Sequence, residues 1–285
     1  MSAFLYLRGE SPERARAQAA ADARGRTWSR QVGLLITCTL LLASWIAGLH
    51  AIGFSPLRIV AGLWRLWDIA GLMLPPSPGS WGRFWIYIDA LGQTLAIALL
   101  GTMLGALVGA PFGFLAARNI VANRVLHWLV RRGLDTVRSV DALIWALIWI
   151  NVVGLGPFSG VLAIASADCA AFAKLVSEMI EGCDRKPIEG IVAAGGGTAA
   201  RLRFGIVPQV LPVVISQVLY FFESNTRSAT IIGVVGAGGI GLWLSESIRV
   251  LEWQQTAFLI VIVLLAVIVI DAISWRIRRA VLGRS

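Results

Sequence analysis

The residues of this chain whose types and spacing could do chemistry fall in three places. Between Pro187 and Pro208 lies a polar run with Glu189, Arg201 and Arg203 around the triplet Gly195, Gly196 and Gly197, set between stretches that could sit in lipid. Such groups offer ion pairing and docking to another protein. At 222–230, PheGluSerAsnThrArgSerAlaThr places Glu223, Ser224, Asn225 and Arg227 between apolar stretches. Ionisable groups at membrane depth are costly and face a water-filled path or each other. Two readings therefore stand: a substrate path, or a Glu223–Arg227 helical pair, four apart, that only stabilises its segment. Third, IleIleGlyValValGlyAlaGlyGlyIleGly at 231–241 formally contains GxGxxG at Gly236, Gly238 and Gly241, with Glu252 as a candidate ribose acid. A dinucleotide turn of that kind needs a βαβ unit. The sequence offers instead a short piece and then an apolar helix, so a broken or re-entrant helix pair at the outer face is expected, with Gly236, Gly238 and Gly239 lining a cavity.

Other chemistries lack their parts. The two lysines, Lys174 and Lys186, do not follow a phosphate-loop glycine pattern, so the chain carries no engine for ATP hydrolysis of that type. Cys38, Cys169 and Cys183 are scattered and read as small core residues, while His50 and His127 stand alone and read as interfacial. No metal site, Ser/His/Asp set or Cys/His set is expected. Asp141, Asn151 and Asp168 are further polar groups in apolar stretches, read as helix-to-helix hydrogen bonding.

The elements that must hold these groups are set by composition. Of 285 residues, 57% are hydrophobic and 14% charged, with a mean hydropathy of +0.76. That excludes a soluble domain and points to an all-α polytopic membrane protein with about six spans. A cytoplasmic arm is expected over 1–30, beginning without a cleavable signal. A first span (about 32–54) and an external Trp-rich interfacial segment fill 31–85. A core over 86–275 follows, with spans at about 86–114, 140–153, 158–180, 208–222 and 256–275, then a tail over 276–285. The 140–153 span is short unless it begins earlier and lies oblique, and 208–222 is expected to open at Pro208. Gly101, Gly105, Gly109 and Gly113 recur every fourth position, which predicts a seam where another helix approaches closely.

Charge placement orients the chain. The net charge is +9, and 23 of the 25 basic residues are Arg. With both ends inside, nineteen lie in inner segments and five in outer ones, Arg58, Arg65, Arg83, Arg227 and Arg249. The positive-inside rule then puts the Glu189 segment in the cytoplasm and gives the basic excess no need of nucleic acid. Within that segment, Pro187 is expected to open a helix with Glu189 in its first turn, and the glycine triplet to reverse the chain.

Here the residues resemble a known family. Glu189, then Gly195 six positions on, then Pro208 thirteen after that, is similar to the coupling loop of ABC importer permeases, although Gly190 and Ile191 stand where that family usually has two alanines. GlyPheLeuAlaAlaArgAsn at 113–119, ArgGlyLeuAspThrValArgSer at 132–139, LeuIleTrpAlaLeuIle at 143–148, ValGlyLeuGlyProPheSerGlyValLeuAlaIle at 153–164 and the run 225–241 resemble the phosphonate subfamily, covering the chain from about residue 86 onward. The resemblance implies a type I ABC importer permease fold in the bacterial inner membrane. It implies a coupling loop over 185–207 (Glu189, Gly195, Arg201, Arg203, Pro208) and a path or gate at Ser224, Asn225, Arg227, Gly236, Gly238 and Gly239. The implied partners are ABC ATPase subunits that bind ATP and Mg, a second permease copy (identical or a close paralogue), an external solute-binding protein and membrane lipid. The implied substrate is phosphonate, phosphite or a related phosphorus oxyanion. Two alternatives stay open: a methionine-type amino-acid importer permease, whose outer glycine turn is similar, and a membrane oxidoreductase subunit using GlyAlaGlyGlyIleGly.

Overall fold

A computed structural model describes residues 12–120 and 123–282, so the ends of the expected arm and tail, 1–11 and 283–285, lie outside the described residues. Every regular element among the described residues is helical: α1 Pro12–Ala51, α2 Pro56–Leu72, α3 Trp81–Ala116, α4 Arg124–Arg138, α5 Ala142–Val153, α6 Pro157–Glu181, α7 Arg185–Ala193, α8 Thr198–Ala200, α9 Val207–Ile232, α10 Ile240–Arg249 and α11 Trp253–Leu282. The chain divides into a unit over Met1–Trp67 and a unit over Asp68–Ser285. In the first, α1 carries an apolar stretch, Gln31–Ala51, long enough to cross a bilayer.

The second unit holds four more such helices, Trp81–Ala116, Pro157–Glu181, Thr198–Ala237 and Trp253–Ala280, and a sixth crossing if α4 and α5 count as one. Those two meet at 88°. At 12 residues α5 is only about 18 Å long, too short to cross alone. The expected oblique rod is thus a broken one, and Asp141 makes the break. Its carboxylate caps α5 by accepting from Leu143 N at 2.8 Å, so it serves the start of its own helix and does not bridge to another. Asn151 likewise donates to Leu147 O of its own helix, 2.8 Å away. Pro157 then opens α6 after Gly154 (φ 97°) and Gly156 (φ 137°) turn the chain back.

The fifth expected span is longer than predicted. The helix does not open at Pro208 or close near Phe222; it runs from Thr198 to Ala237, 40 residues. A wide π turn over Arg201–Ile206 precedes Pro208 directly. There the missing N–H of the ring costs no regular hydrogen bond, so proline is absorbed instead of starting a new element. A second wide turn, Gly233–Ala237, ends the rod, and Gly236 (φ 108°), Gly238 (φ 79°) and Gly239 (φ 72°) take backbone angles that side chains resist. The short α10 follows. The segment before the glycines is helical, so no βαβ unit surrounds GlyAlaGlyGlyIleGly, and the dinucleotide reading falls with it.

The core of this unit is the α3–α6 seam. A Cβ on Gly101 would stand 2.7 Å from Ile164 Cβ, on Gly105 2.8 Å from Asp168 Cβ, on Gly109 2.5 Å from Cys169 O and on Gly113 2.6 Å from Val176 Cβ. All four glycines are buried, as the four-residue recurrence predicted. Of the cysteines, Cys169 and Cys183 are half-buried, whereas Cys38 is exposed on α1 and is no core residue.

Replacing Gly109 by Leu drives a side chain into backbone and should destabilise the purified protein by about 2 kcal/mol or more, whereas Gly92→Ala, with open space around its Cβ, should leave it unchanged or raise it slightly. Thermal unfolding of both variants in detergent checks the pair; equal melting would remove the seam as the core contact.

Candidate functional site

The polar run at 185–207 forms a compact knob. Its first helix, α7, does not open at Pro187: the Asp184 carboxylate caps it, accepting from Lys186 N at 3.1 Å, so Glu189 sits beyond the first turn. The turn is tight. Gly195 takes φ 82°, and Gly196 N donates to Ile191 O at 2.9 Å. A Cβ on Gly205 would stand 3.1 Å from Ile188 Cγ1, so the wide turn lies against α7. Gln209 locks the base: Asp184 N donates to its Oε1 (3.0 Å), while its Nε2 donates to Asp184 O (3.3 Å) and Gly205 O (2.7 Å). Nothing in local pattern singles out this glutamine, because its partner lies 25 residues back. Glu189, Arg185 and Arg201 line a hollow of about 510 Å³ between α7 and the start of the long helix, together with Asn119 and Leu202. Arg203 is exposed beside Phe204, its guanidinium 5.5 Å from the ring centre. Pro208 stands on the exposed side of the long helix just after the wide turn.

A network joins α4 and the 117–120 turn to the lower end of α6. Glu181 accepts from Arg118 N (3.0 Å) and pairs with Arg131 (3.5 Å), and Asp135 pairs with Lys174 (3.2 Å). His127 lies on α4, its Nε2 3.4 Å from Arg118 Nε. Isolated in the sequence, it belongs in the fold to this cluster.

Within the bilayer, Asn225 is buried and donates through Nδ2 to Asp168 Oδ2 on α6 (2.5 Å) and to Thr102 Oγ1 on α3 (2.8 Å). Asp168 thus bonds helix to helix as expected. Glu223 does not pair with Arg227. It takes Arg278 of α11 instead, at 3.0 Å, a partner 55 residues away that no helical spacing could reveal. That leaves Arg227 exposed on α9, on one face with Tyr220, Ile231 and Val234, while Ser224 is half-buried. Among the described residues no carboxylate pairs with Arg227. Asp271, absent from the sequence-based candidates, has a buried Oδ1 without a hydrogen-bond partner.

The glycine turn is not brought together with Arg227. Nine residues of helix, about 13 Å, separate Arg227 from Gly236. Gly238 and Gly239 are buried, the first against Pro157 and the second against Thr94. Gly156 N donates to Gly236 O (3.1 Å), and Ile240 N to Thr94 Oγ1 (2.7 Å). The turn is a packed closure against the α5–α6 loop, and its Ile240 N–H is taken.

Known proteins bear on this geometry. The family model described as "Binding-protein-dependent transport system inner membrane component" matches residues 109–282. The transport system permease protein HtxC of Stutzerimonas stutzeri is 35% identical over 87% of this chain and 86% of its own length. The phosphite transport system permease protein PtxC of the same organism is 33% identical over 90% of this chain and 91% of its own. Among solved structures, an inward-facing MetNI methionine ABC transporter chain superposes with a TM-score of 0.63 at 22% identity, covering 71% of this chain and 99% of that one. That likeness concerns the fold, the type I ABC importer permease fold expected from the sequence.

The Glu223–Arg278 pair is mostly buried, so its loss strands a charge. Glu223→Gln should lower thermal stability by about 1–3 kcal/mol, and the exchanged pair Glu223→Arg with Arg278→Glu should recover most of it. Denaturation of Glu223→Arg, Arg278→Glu and the double exchange side by side measures the coupling; additive losses would show that the contact is incidental.

Proposed function

This chain belongs to the family of binding-protein-dependent transport system inner membrane components, and we propose that it is the permease subunit of an ATP-driven importer of phosphonate, phosphite or a related phosphorus oxyanion. The observation that carries the mechanism is one continuous rod: the Thr198–Ala237 helix starts in the Glu189 knob, passes Arg227 and ends at the glycine break. A force on the knob travels along this helix to the closure at Gly236–Gly239, and Gln209 ties the knob to the rod. An ATPase subunit that binds ATP and Mg docks on α7 and on the basic rim of Arg185, Lys186, Arg201 and Arg203. Its closure tilts the rod, and the two states differ in contacts at both ends, as coupling requires.

Two permease copies, identical or closely paralogous, enclose the path. The exposed face of Tyr220, Arg227, Ile231 and Val234 lines it. An anion leaving water needs fixed donors, and Arg227 is the cation on that face without a carboxylate partner among the described residues. A solute-binding protein delivers the anion outside, and the glycine turn opens to admit it. Both termini face the cytoplasm, on the strength of the arginine distribution. The methionine-type alternative rests on fold likeness alone, whereas the phosphite reading rests on a relative matched along nine-tenths of this chain.

Glu189→Ala and Gly195→Val should each cut uptake by about tenfold or more in proteoliposomes while the partner's ATP hydrolysis continues, the valine because its backbone must hold a positive φ. Unchanged uptake in both would remove the knob as the coupling element. Arg227→Met should weaken uptake of labelled phosphite or methylphosphonate by about tenfold, the scale of one hydrogen bond to a charge, with assembly intact. Wild-type transport by that variant would place the anion elsewhere, and preferential uptake of methionine would favour the alternative substrate.

A further inference from the structure

We infer that Asn225 is a positioning residue for Arg227: held by Asp168 and Thr102, it sets the rotation of α9 so that the guanidinium faces out of this chain's own bundle. The inference rests on the path reading for its link to transport, though not for its geometry.

Residues two apart on an α-helix point about 200° away from each other. Asn225 is turned into the α3 and α6 contact and buried, and Arg227 therefore points nearly opposite and is exposed. Thr226, Ala229, Ile232 and Gly233 are buried on the same face beside Asn225. Apolar packing of this kind is non-directional and by itself leaves some rotation open. The carboxamide does not permit it. Both of its acceptors are buried on other helices, 2.8 Å and 2.5 Å away, and a rotation breaks both bonds where no water replaces them. Turning α9 by one residue, about 100°, would carry Arg227 off the open face. The lock is built on the seam: with a side chain at Gly105, α6 could not bring Asp168 this close to α3 and α9.

The test separates rotation from transport. In the full complex, with Cys38, Cys169 and Cys183 changed to Ala, a cysteine replacing Arg227 should react rapidly with a water-soluble methanethiosulfonate. Adding Asn225→Leu, which keeps the volume and removes both donors, should slow that labelling about tenfold, the scale of one such lost hydrogen bond. With Arg227 in place, Asn225→Leu should raise the KM for phosphite by a similar factor with the maximal rate retained. Exchanging the partners, Asn225→Asp with Asp168→Asn, restores a donor–acceptor pair and should bring both readouts back. Equal labelling in the two backgrounds overturns the inference. So does failure of the exchange to rescue a correctly assembled complex. If Arg227→Met transports normally while labelling still depends on Asn225, the path reading fails and the positioning role stands.

Discussion

Close approach of two backbones organises the second unit. α3 presents glycine to α6 at four successive turns, so the helices meet without side chains to hold them apart. In hydrocarbon, apolar burial gives no net pull between helices, and close packing plus interhelical hydrogen bonds must do that work. The seam supplies both at once. Gly105 lies under Asp168, and the same proximity lets Asn225 of α9 reach α6 and α3 together. Three helices are joined by one side chain because two of them lack a methylene between them.

How much of this could be read from the sequence depends on the distance over which each signal acts. The glycine column was legible because its period lies within one helix, and the knob was legible from Glu189, the glycine triplet and the arginines. Contacts between distant segments were not. The partner of Glu223 is Arg278 and not its helical neighbour Arg227, and Gln209 clamps a carbonyl on the far side of the reversal. Thr94 and Thr102 look like ordinary membrane-helix threonines, yet each receives a buried hydrogen bond from another helix. Pro208 misled for a different reason. A proline marks a helix start only if the turn before it is regular, and here that turn is wide.

The polar groups inside the bilayer sort by who satisfies them. Asn225, Asp168 and Thr102 satisfy one another, and Glu223 has Arg278. Asp141 and Asn151 are spent on their own helices. What remains open is the buried Oδ1 of Asp271 and, on a surface that the second unit does not cover by itself, Arg227. The glycine turn, in contrast, is closed by its own contacts to Pro157 and Thr94. A single chain thus holds a sealed end and an unsealed side wall, a division of labour that fits a subunit better than a finished channel.

The 40-residue length of the Thr198–Ala237 helix has a mechanical meaning of its own. At about 1.5 Å per residue it measures roughly 60 Å, about twice the hydrocarbon thickness. Gripped partway along by the Asn225 contacts, it behaves as a lever with a fulcrum inside the membrane. Tilting such a beam by about 5° moves the knob end, about 40 Å from Asn225, by ~3.5 Å and the glycine end, about 17 Å from it, by ~1.5 Å. The longer arm lies on the knob side, so a large excursion there is geared down to a small, controlled loosening of the packed glycine loop while the pivot is scarcely disturbed.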